Sequence, residues 1–330
     1  MGRNAMITAV GHYAPPKIMT NHDIEKLVDT NDEWIVSRTG IKERRILEEG
    51  KGSAFMGVKA AEMVLKDRGI TADEIDLIIA ATVTPDTIFP STACRMQEML
   101  GAGNAWGFDL NGACSGFVYG LNTGANFIRS GQHKKVLVVG TDKMSAIINW
   151  QDRATCVLFG DAAGAVLLEP TDDERYGLLD SILRSDGSGK DCLHMMGGGS
   201  LYPASHETVD KQMHYIYQDG RTVFKFAVTR MADVSEEILL RNDLAGKDVT
   251  YFIPHQANLR IIDAAAKRMK LEPSQVVINI HKYGNTTAAT IPLALSEIHH
   301  DNKLKKDDML VMAAFGAGFT WGSCLVRWGI

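Results

Sequence analysis

The chain has 330 residues, of which 45% are hydrophobic and 23% are charged, and its formal net charge at pH 7 is −5. This composition excludes a disordered or collagen-like protein and supplies enough apolar material to enclose a dry active site. The negative net charge argues against nucleic acid as a partner. The five cysteines are widely spaced and odd in number, a pattern typical of neither a disulfide framework nor a zinc site, so it indicates a reducing compartment.

The N-terminal residues lack the apolar stretch of a signal peptide, and no run reaches the roughly 18 apolar residues that a membrane helix needs. We therefore expect a cytoplasmic protein that has no membrane partner.

Short apolar runs that indicate buried strands alternate with amphipathic stretches that indicate helices. In chain order the patterns predict helix 53–68, strand 76–82, helix 92–100, helix 116–130, strand 135–140, strand 165–168, helix 224–241, strand 250–253, helix 258–269 and strand 309–314. This alternation predicts an α/β fold.

A faint internal repeat divides the chain. Residues 74–86 (EIDLIIAATVTPD) share their layout with residues 247–260 (KDVTYFIPHQANLR): an acidic or charged start, a strand and a polar turn. A charged, strand-free stretch at residues 171–175 separates the copies. We therefore predict two similar halves, residues 1–172 and residues 173–330, whose functional residues meet across a pseudo-twofold axis.

Cys114 lies in the segment DLNGACSGF, at the turn that leads into predicted helix 116–130. The partial positive charge at the helix N-terminus is expected to lower the pKa of the thiol and favour the thiolate. The small residues around it would let a bulky thioester approach and leave backbone N–H groups free to face its carbonyl oxygen. On local sequence alone, a buried structural cysteine is an equally good interpretation.

Three further turns in the second half could supply partners to a nucleophile. His255 follows a strand and a proline in IPHQAN, Asn285 follows a Tyr-Gly turn in YGNTTAAT, and a glycine turn, FGAG, interrupts the last strand. In that turn a backbone N–H of Ala317 or Gly318 could face an oxyanion. Taken singly, each has an ordinary alternative: a structural or surface histidine, a helix-capping asparagine and a β-turn in a hairpin.

The chain resembles the β-ketoacyl-acyl-carrier-protein synthase III family of the thiolase superfamily. The resemblance rests on five motifs taken together: NDEWIVSRTGIKER near the N-terminus, DLNGACSGF, IPHQAN, YGNTTAAT and FGAGFTWG. The match runs in order from about Ile7 to Trp328. The resemblance implies the α/β thiolase fold, in which two similar halves form a five-layer αβαβα sandwich, and a homodimer. It also implies a decarboxylative condensation of an acyl-CoA starter with malonyl-acyl carrier protein (malonyl-ACP) that initiates fatty acid biosynthesis. Beyond these substrates it implies no cofactor and no metal.

The resemblance assigns roles to the residues of these motifs. Cys114 would carry the acyl group, and backbone N–H groups of Cys114 and of Ala317 or Gly318 would form the oxyanion hole. His255 and Asn285 would hold the malonyl thioester carbonyl, so that loss of CO₂ leaves a stabilised enolate. Two neutral donors suit an enolate oxygen in a dry site. The turn reads FGAG where some relatives have FGGG, so the choice between Ala317 and Gly318 stays open.

The resemblance also implies residues that bind the substrates. For CoA these are Trp34 and Arg153 on either side of the adenine, Arg38 and Thr30 near the phosphates and nucleotide, and Asn258 on the pantetheine tunnel. Phe89 would cross the dimer interface and close the acyl pocket of the partner subunit. A basic patch would dock the acidic acyl carrier protein; its members are Lys225, Arg260, Lys267 and Arg268.

Three other functions fit parts of this pattern. The first is a same-fold acyl-CoA transferase or a starter enzyme of a secondary-metabolite pathway, of polyketide or quinolone type. The second is a non-catalytic scaffold that has kept the fold. The third is a cysteine hydrolase, which also uses Cys, His and Asn.

Overall fold

The computed structural model describes residues 4–330. Its strands are β1 (Asn4–Tyr13), β2 (Ile18–Thr20), β3 (Glu43–Arg45), β4 (Leu77–Ala81), β5 (Trp106–Leu110), β6 (Val136–Asp142), β7 (Ala162–Thr171), β8 (Gly177–Ser185), β9 (Leu193–His194), β10 (Tyr217–Gln218), β11 (Tyr251–Pro254), β12 (Met309–Gly316) and β13 (Thr320–Arg327).

The α-helices are α1 (Asn21–Ile24), α2 (Asp32–Thr39), α3 (Ser53–Arg68), α4 (Thr92–Leu100), α5 (Gly116–Arg129), α6 (Arg153–Cys156), α7 (His206–Asp210), α8 (Gly220–Arg241), α9 (Leu259–Met269), α10 (Ile280–Tyr283) and α11 (Thr290–His300). The predicted helices correspond to α3, α4, α5, α8 and α9, and the predicted strands to β4, β6, β7, β11 and β12. Their boundaries differ from the predicted ones by at most a few residues.

Two sheets form the framework. The first has the strand order β1-β7-β6-β4-β5, and the second has the order β11-β12-β13-β8. Strand β4 runs parallel to β5 and β6, and β11 runs parallel to β12, whereas the remaining pairs in both sheets are antiparallel. Every residue of β4 and β6 is buried, which explains why these strands are continuous apolar runs rather than alternating ones.

The helices and sheets stack in five layers. Helices α3 and α4 pack on the outer face of the first sheet, and α8 and α9 pack on the outer face of the second. Between the sheets lie α5 and α11, whose apolar side chains contact both, as shown by the shared core of Phe117, Leu121, Ile291 and Leu295. This is the αβαβα arrangement that the resemblance implies. Of the residues described, no helix is both long and apolar enough to cross a membrane.

The division at residue 172 stays a prediction. The first sheet takes its strands from residues 4–171 and the second from residues 177–327, and each contributes one helix to the central layer, α5 and α11.

Candidate active site

Four loops converge between the two sheets. The turn before α5 carries Cys114, the residue after β11 is His255, the loop before α11 carries Asn285, and the β12–β13 turn carries Ala317. All four residues line one cavity of about 370 Å³, whose walls are otherwise largely apolar. Sites at the carboxyl ends of strands and the N-termini of helices are usual in α/β proteins, and here the two halves supply them to a common space.

The turn that carries Cys114 is held by contacts from both halves. Cys114 belongs to a short 3-10 turn, Ala113–Ser115, that leads directly into α5. Ser115 Oγ donates to the backbone O of Thr320 (3.0 Å), and Thr320 Oγ1 donates to the backbone O of Gly112 (2.9 Å). Ala113 adopts a φ of 47°, a left-handed conformation that costs a non-glycine residue about 1–2 kcal/mol. The turn is therefore fixed by β13 rather than by its own preferences.

The predicted lowering of the Cys114 pKa is wrong for this structure. Cys114 is buried, with 7% of its surface exposed. Burial, with a smaller contribution from the Asp142 carboxylate, raises the pKa of the thiol to about 12. Removing a thiolate from water costs more than the partial charge of the helix N-terminus returns. The unliganded site therefore holds a neutral thiol.

Gly316 makes room for the nucleophile turn. A Cβ atom at this position would lie 2.7 Å from the backbone N of Cys114, closer than such atoms approach in proteins, and 3.1 Å from the backbone N of Ser115. The β12 strand therefore packs its backbone directly against the Cys114 turn. Ala317, the next residue, lines the cavity, whereas Gly318 lies outside that lining.

His255 is a neutral, deeply buried imidazole. Its exposed fraction is 2%, and burial lowers the pKa of the ring to about 3. Nδ1 lies 2.7 Å from Oγ1 of Thr290, while Nε2 is buried and lacks a hydrogen-bond partner among the described residues. A buried polar atom without a partner is rare in folded proteins, and this one belongs to a residue that lines the cavity. Nε2 is thus left available to a ligand.

The Asn285 amide is oriented by its own loop. Its Oδ1 accepts from the backbone N of Thr287 (2.9 Å), so the Nδ2 group is the part left to donate. The backbone of Asn285 is fixed to the first half by bonds to Leu158 O (2.9 Å) and from Gly160 N (3.0 Å). Together with Nε2 of His255, this places two neutral hydrogen-bonding groups on the cavity that holds the Cys114 thiol.

Asp142, the last residue of β6, is a site residue that no sequence motif revealed. Its carboxylate is fully buried and accepts hydrogen bonds from Thr82, Val83 and Thr84 in one loop. It also accepts from Thr287 Oγ1 and from Ala288 N (3.3 Å) in the Asn285 loop. Burial raises the pKa of this carboxyl, and the hydrogen bonds oppose the rise. An acidic residue ending a fully apolar strand (VLVVGTD) was the signal that could have identified it.

The residues predicted to bind CoA lie on or just before α2 and at the starts of α6 and α9. The Arg153 guanidinium stacks on the Trp34 ring, 4.3 Å from its centroid, so the two groups contact each other and leave no space between them for a base. Thr30 Oγ1 is buried and has no hydrogen-bond partner among the described residues. Arg38 is exposed, and its backbone O accepts from Nδ2 of Asn258 (2.9 Å). Asn258, the N-cap of α9, also lines the cavity.

The predicted basic patch lies on α8 and α9. Lys225, Arg260 and Lys267 are exposed. The Arg260 guanidinium lies 4.7 Å from the centroid of Phe224, a residue that lines the cavity, so this part of the patch adjoins the cavity. Arg268 instead pairs with Asp233 (3.2 Å) and Glu236 (3.1 Å) of α8, which offsets its charge.

Phe89 does not reach the cavity within one chain. Its side chain is 85% exposed, and its neighbour Ile88 is 81% exposed. Two adjacent large apolar side chains in water are unusual for a closed surface.

Comparison with known proteins agrees with this geometry. Residues 108–187 match the family model for 3-oxoacyl-[acyl-carrier-protein (ACP)] synthase III, and residues 239–328 match the model for its C-terminal part. The chain is 59% identical over 326 residues to the β-ketoacyl-[acyl-carrier-protein] synthase III of Chlorobium chlorochromatii, with 98% of this chain and 99% of that relative covered. The chain belongs to the β-ketoacyl-acyl-carrier-protein synthase III family.

Other members of the synthase III family agree over the same length. The synthase III of Chlorobaculum tepidum is 57% identical over 326 residues, covering 98% of this chain and 99% of the relative. The crystal structure of 3-oxoacyl-[acyl-carrier-protein] synthase III from Aquifex aeolicus superposes with a TM-score of 0.90 at 43% identity, covering 98% of this chain and all of that one. The thiolase fold expected from the motifs is therefore confirmed.

Proposed function

We propose that this chain is a condensing acyltransferase that joins an acyl-CoA starter to malonyl-ACP and so initiates fatty acid biosynthesis. The observation that carries the proposal is the cavity lined by Cys114, His255 and Asn285, in which Nε2 of His255 is buried without a partner. A nucleophile and two neutral donors on one dry cavity suit an acyl transfer followed by stabilisation of an enolate.

The first half-reaction would acylate the thiol. The Cys114 sulfur attacks the thioester carbon of acyl-CoA, the thiol proton passes to the departing CoA sulfur, and the acyl group stays on Cys114. Because the resting thiol is neutral, its deprotonation has to accompany substrate binding. The developing oxyanion would accept from the backbone N–H groups of Cys114 and Ala317. We place the second donor at Ala317 because Ala317 lines the cavity.

The second half-reaction would consume malonyl-ACP. Loss of CO₂ leaves the electron pair as an enolate, whose oxygen accepts from Nδ2 of Asn285 and from Nε2–H of His255. The enolate carbon then attacks the acyl-Cys114 carbonyl, and the C–S bond breaks to release 3-ketoacyl-ACP. The departing Cys114 thiolate takes a proton from water, which restores the neutral thiol. Neutral donors suit this task because a charged group would also bind the carboxylate of the substrate.

The test is to incubate the protein with a panel of acyl-CoA thioesters, to record its intact mass, and then to add malonyl-ACP. We expect one acyl adduct, which should be lost in Cys114→Ala. The matched control is Cys94→Ser, which removes an exposed thiol and should keep the adduct. In His255→Ala or Asn285→Ala the adduct should form while condensation falls by roughly 10²–10³-fold. If the wild-type protein formed the adduct but no condensed product, it would instead be an enzyme that transfers the acyl group without condensation.

The substrate-binding roles form part of the proposal. Adenine would bind on the face of the Trp34 ring once Arg153 swings outward, and Arg153 would then cover the other face of the base. Arg38 and Thr30 would lie near the phosphates and nucleotide, and Asn258 would lie on the pantetheine path. Arg153→Ala should therefore raise KM for acyl-CoA and leave KM for malonyl-ACP unchanged. Equal changes in both would contradict an adenine contact.

The acyl carrier protein would dock on Lys225, Arg260 and Lys267, with Arg268 at the edge of the patch. The position of Arg260 over Phe224 supports this, because a carrier bound there could pass its prosthetic arm into the cavity. Lys225→Glu should raise KM for malonyl-ACP with little effect on acyl-CoA. Lys17→Glu, at an exposed lysine of the first half, is the matched control.

We further propose a cytoplasmic homodimer in which Phe89 is covered by the partner subunit and closes its acyl pocket. The exposure of Phe89 and Ile88 supports this. Phe89→Ser should weaken the dimer in sedimentation equilibrium and change the preferred acyl chain length. A monomeric wild-type protein would contradict the proposal.

A further inference from the structure

A cluster of potential metal ligands lies far from the chemistry described above, where the last turns of α3 and α11 meet. A carboxylate oxygen of Asp67 and one ring nitrogen each from His299 and His300 all lie within 4.8 Å of one another. Asp67 belongs to α3 and the two histidines end α11. Neither the proposed condensation nor the fold requires this combination.

The geometry is close to that of a three-ligand transition-metal site. Nε2 of His299 lies 3.6 Å from Oδ2 of Asp67. Two ligands of a tetrahedral zinc ion at bond lengths of 2.0–2.2 Å are about 3.4 Å apart. The three ligand atoms, all within 4.8 Å of one another, would therefore have to move by about 1 Å to bind one ion.

Oδ2 of Asp67 makes two long contacts among the described residues. The contacts with the backbone N of Val10 (3.5 Å) and with His299 (3.6 Å) are both longer than an ordinary hydrogen bond. A cation would give this oxygen a stronger partner.

Both histidine rings have packing or hydrogen-bonding partners beside the cluster. The His299 ring packs against Trp328, with centroids 5.5 Å apart, and against His300 at 5.0 Å. Nε2 of His300 lies 3.3 Å from the backbone O of Val10. About a quarter of each side chain is exposed, 22% for His299 and 26% for Asp67, so water can complete the coordination.

We propose that Asp67, His299 and His300 form a site for a divalent first-row transition metal, since Zn²⁺ and Fe²⁺ both bind two imidazoles and one carboxylate. The ion would join an outer-layer helix of the first half to the central-layer helix of the second half. A ligand that binds only the folded state raises stability by mass action. The site would therefore be structural, and the condensation would not depend on it.

Isothermal titration of the EDTA-treated protein with ZnCl₂ tests the site. The wild-type protein should bind one ion, and Asp67→Asn, His299→Gln and His300→Gln should each weaken binding at least tenfold. Cys94→Ser and His206→Gln, which remove an exposed thiol and an exposed imidazole elsewhere, should bind as the wild type does. Unchanged affinity in the three ligand variants, or no binding in the wild type, would overturn the proposal.

Two measurements separate metal binding from a folding defect. Zn²⁺ should raise the unfolding midpoint of the wild type by a few degrees and leave that of the ligand variants unchanged, while all of them unfold at similar temperatures in EDTA. Co²⁺ bound to His299 should also quench part of the tryptophan fluorescence, because Trp328 packs against that ring. Quenching that persists in His299→Gln would place the ion elsewhere and overturn the proposal.

Discussion

Nδ1 of His255 and Oγ1 of Thr290 lie 2.7 Å apart in the buried centre of the molecule. The same hydroxyl lies 3.1 Å from the backbone O of Thr287, and its single hydrogen can satisfy only one of these acceptors. When Thr290 donates to Nδ1, the proton of the neutral ring is on Nε2, which then becomes the donor that an enolate requires. When Thr290 donates to Thr287, Nδ1 carries the proton and Nε2 is an acceptor.

Thr290 should therefore control which nitrogen of His255 is protonated. Thr290→Val keeps the shape but removes the hydroxyl, so we expect condensation to fall by about 10–100-fold, the loss usual for partners that orient metal-binding histidines. Acylation of Cys114 should change much less. Thr290→Ser, which restores the hydroxyl, should recover most of the activity; equal losses of both half-reactions in the valine variant would show a packing effect instead.

The pH dependence of the second half-reaction should reflect a neutral imidazole. Burial lowers the pKa of His255 from 6.5 to about 3, so the ring stays neutral as the pH falls from 8 to 5. Condensation by the preformed acyl-enzyme should then show no ionisation of this group in that interval, measured by single-turnover assay. A step that needed imidazolium would instead slow as the pH rose through about 6.5.

The Cys114 thiol should react slowly with a simple alkylating agent. Burial raises its pKa to about 12, so its thiolate fraction is small at neutral pH. Below the pKa, each rise of one pH unit increases that fraction about tenfold. The rate of iodoacetamide labelling at Cys114, followed by peptide mass spectrometry, should keep rising up to pH 9 and above. The exposed Cys94 provides the internal comparison. A plateau for Cys114 near pH 7 would show a thiolate stabilised by the helix N-terminus.

Gly316 should tolerate no side chain. In Gly316→Ala the new Cβ would be 2.7 Å from the backbone N of Cys114, so the nucleophile turn or β12 must move. We expect at least a 10²-fold loss of acylation, since misplacing a reacting group by about 1 Å costs that much. Ala317→Gly removes a side chain one residue later and should keep the oxyanion N–H and most of the activity. Similar activities for the two variants would contradict the predicted clash.

Asp142 should stabilise the fold and position Asn285 together. In Asp142→Asn the amide N–H group would face backbone N–H and hydroxyl donors, so buried donors lose their acceptor at about 1–3 kcal/mol each. The free energy of unfolding should fall by about 2–5 kcal/mol in urea titrations. Condensation should decline more than acylation, because the Thr287–Ala288 segment is released. Asp210→Asn, at an exposed aspartate elsewhere, is a control that should change little.

Much of the architecture follows from local patterns. The sequence predicts β4 and β6 from their continuous apolar runs, because both faces of these strands are buried. It predicts α3, α4 and α5 from apolar residues that recur every three or four positions. The motif order identified Cys114, His255 and Asn285 as one set. The sequence also showed that each follows a turn next to a strand or helix.

The tertiary structure decided the electrostatics and the contacts between the halves. The local sequence around Cys114 predicts an acidified thiol, but the charge state depends on how much water the other half excludes. Thr320, which contacts the Cys114 turn from that half, is 205 residues from Ser115 in the chain. The same holds for the donors around Asp142, for Thr290 beside His255 and for the cluster of Asp67 with His299 and His300. Such pairings are set by how α5 and α11 pack between two sheets, and no local spacing encodes the free energy of burying a charge there.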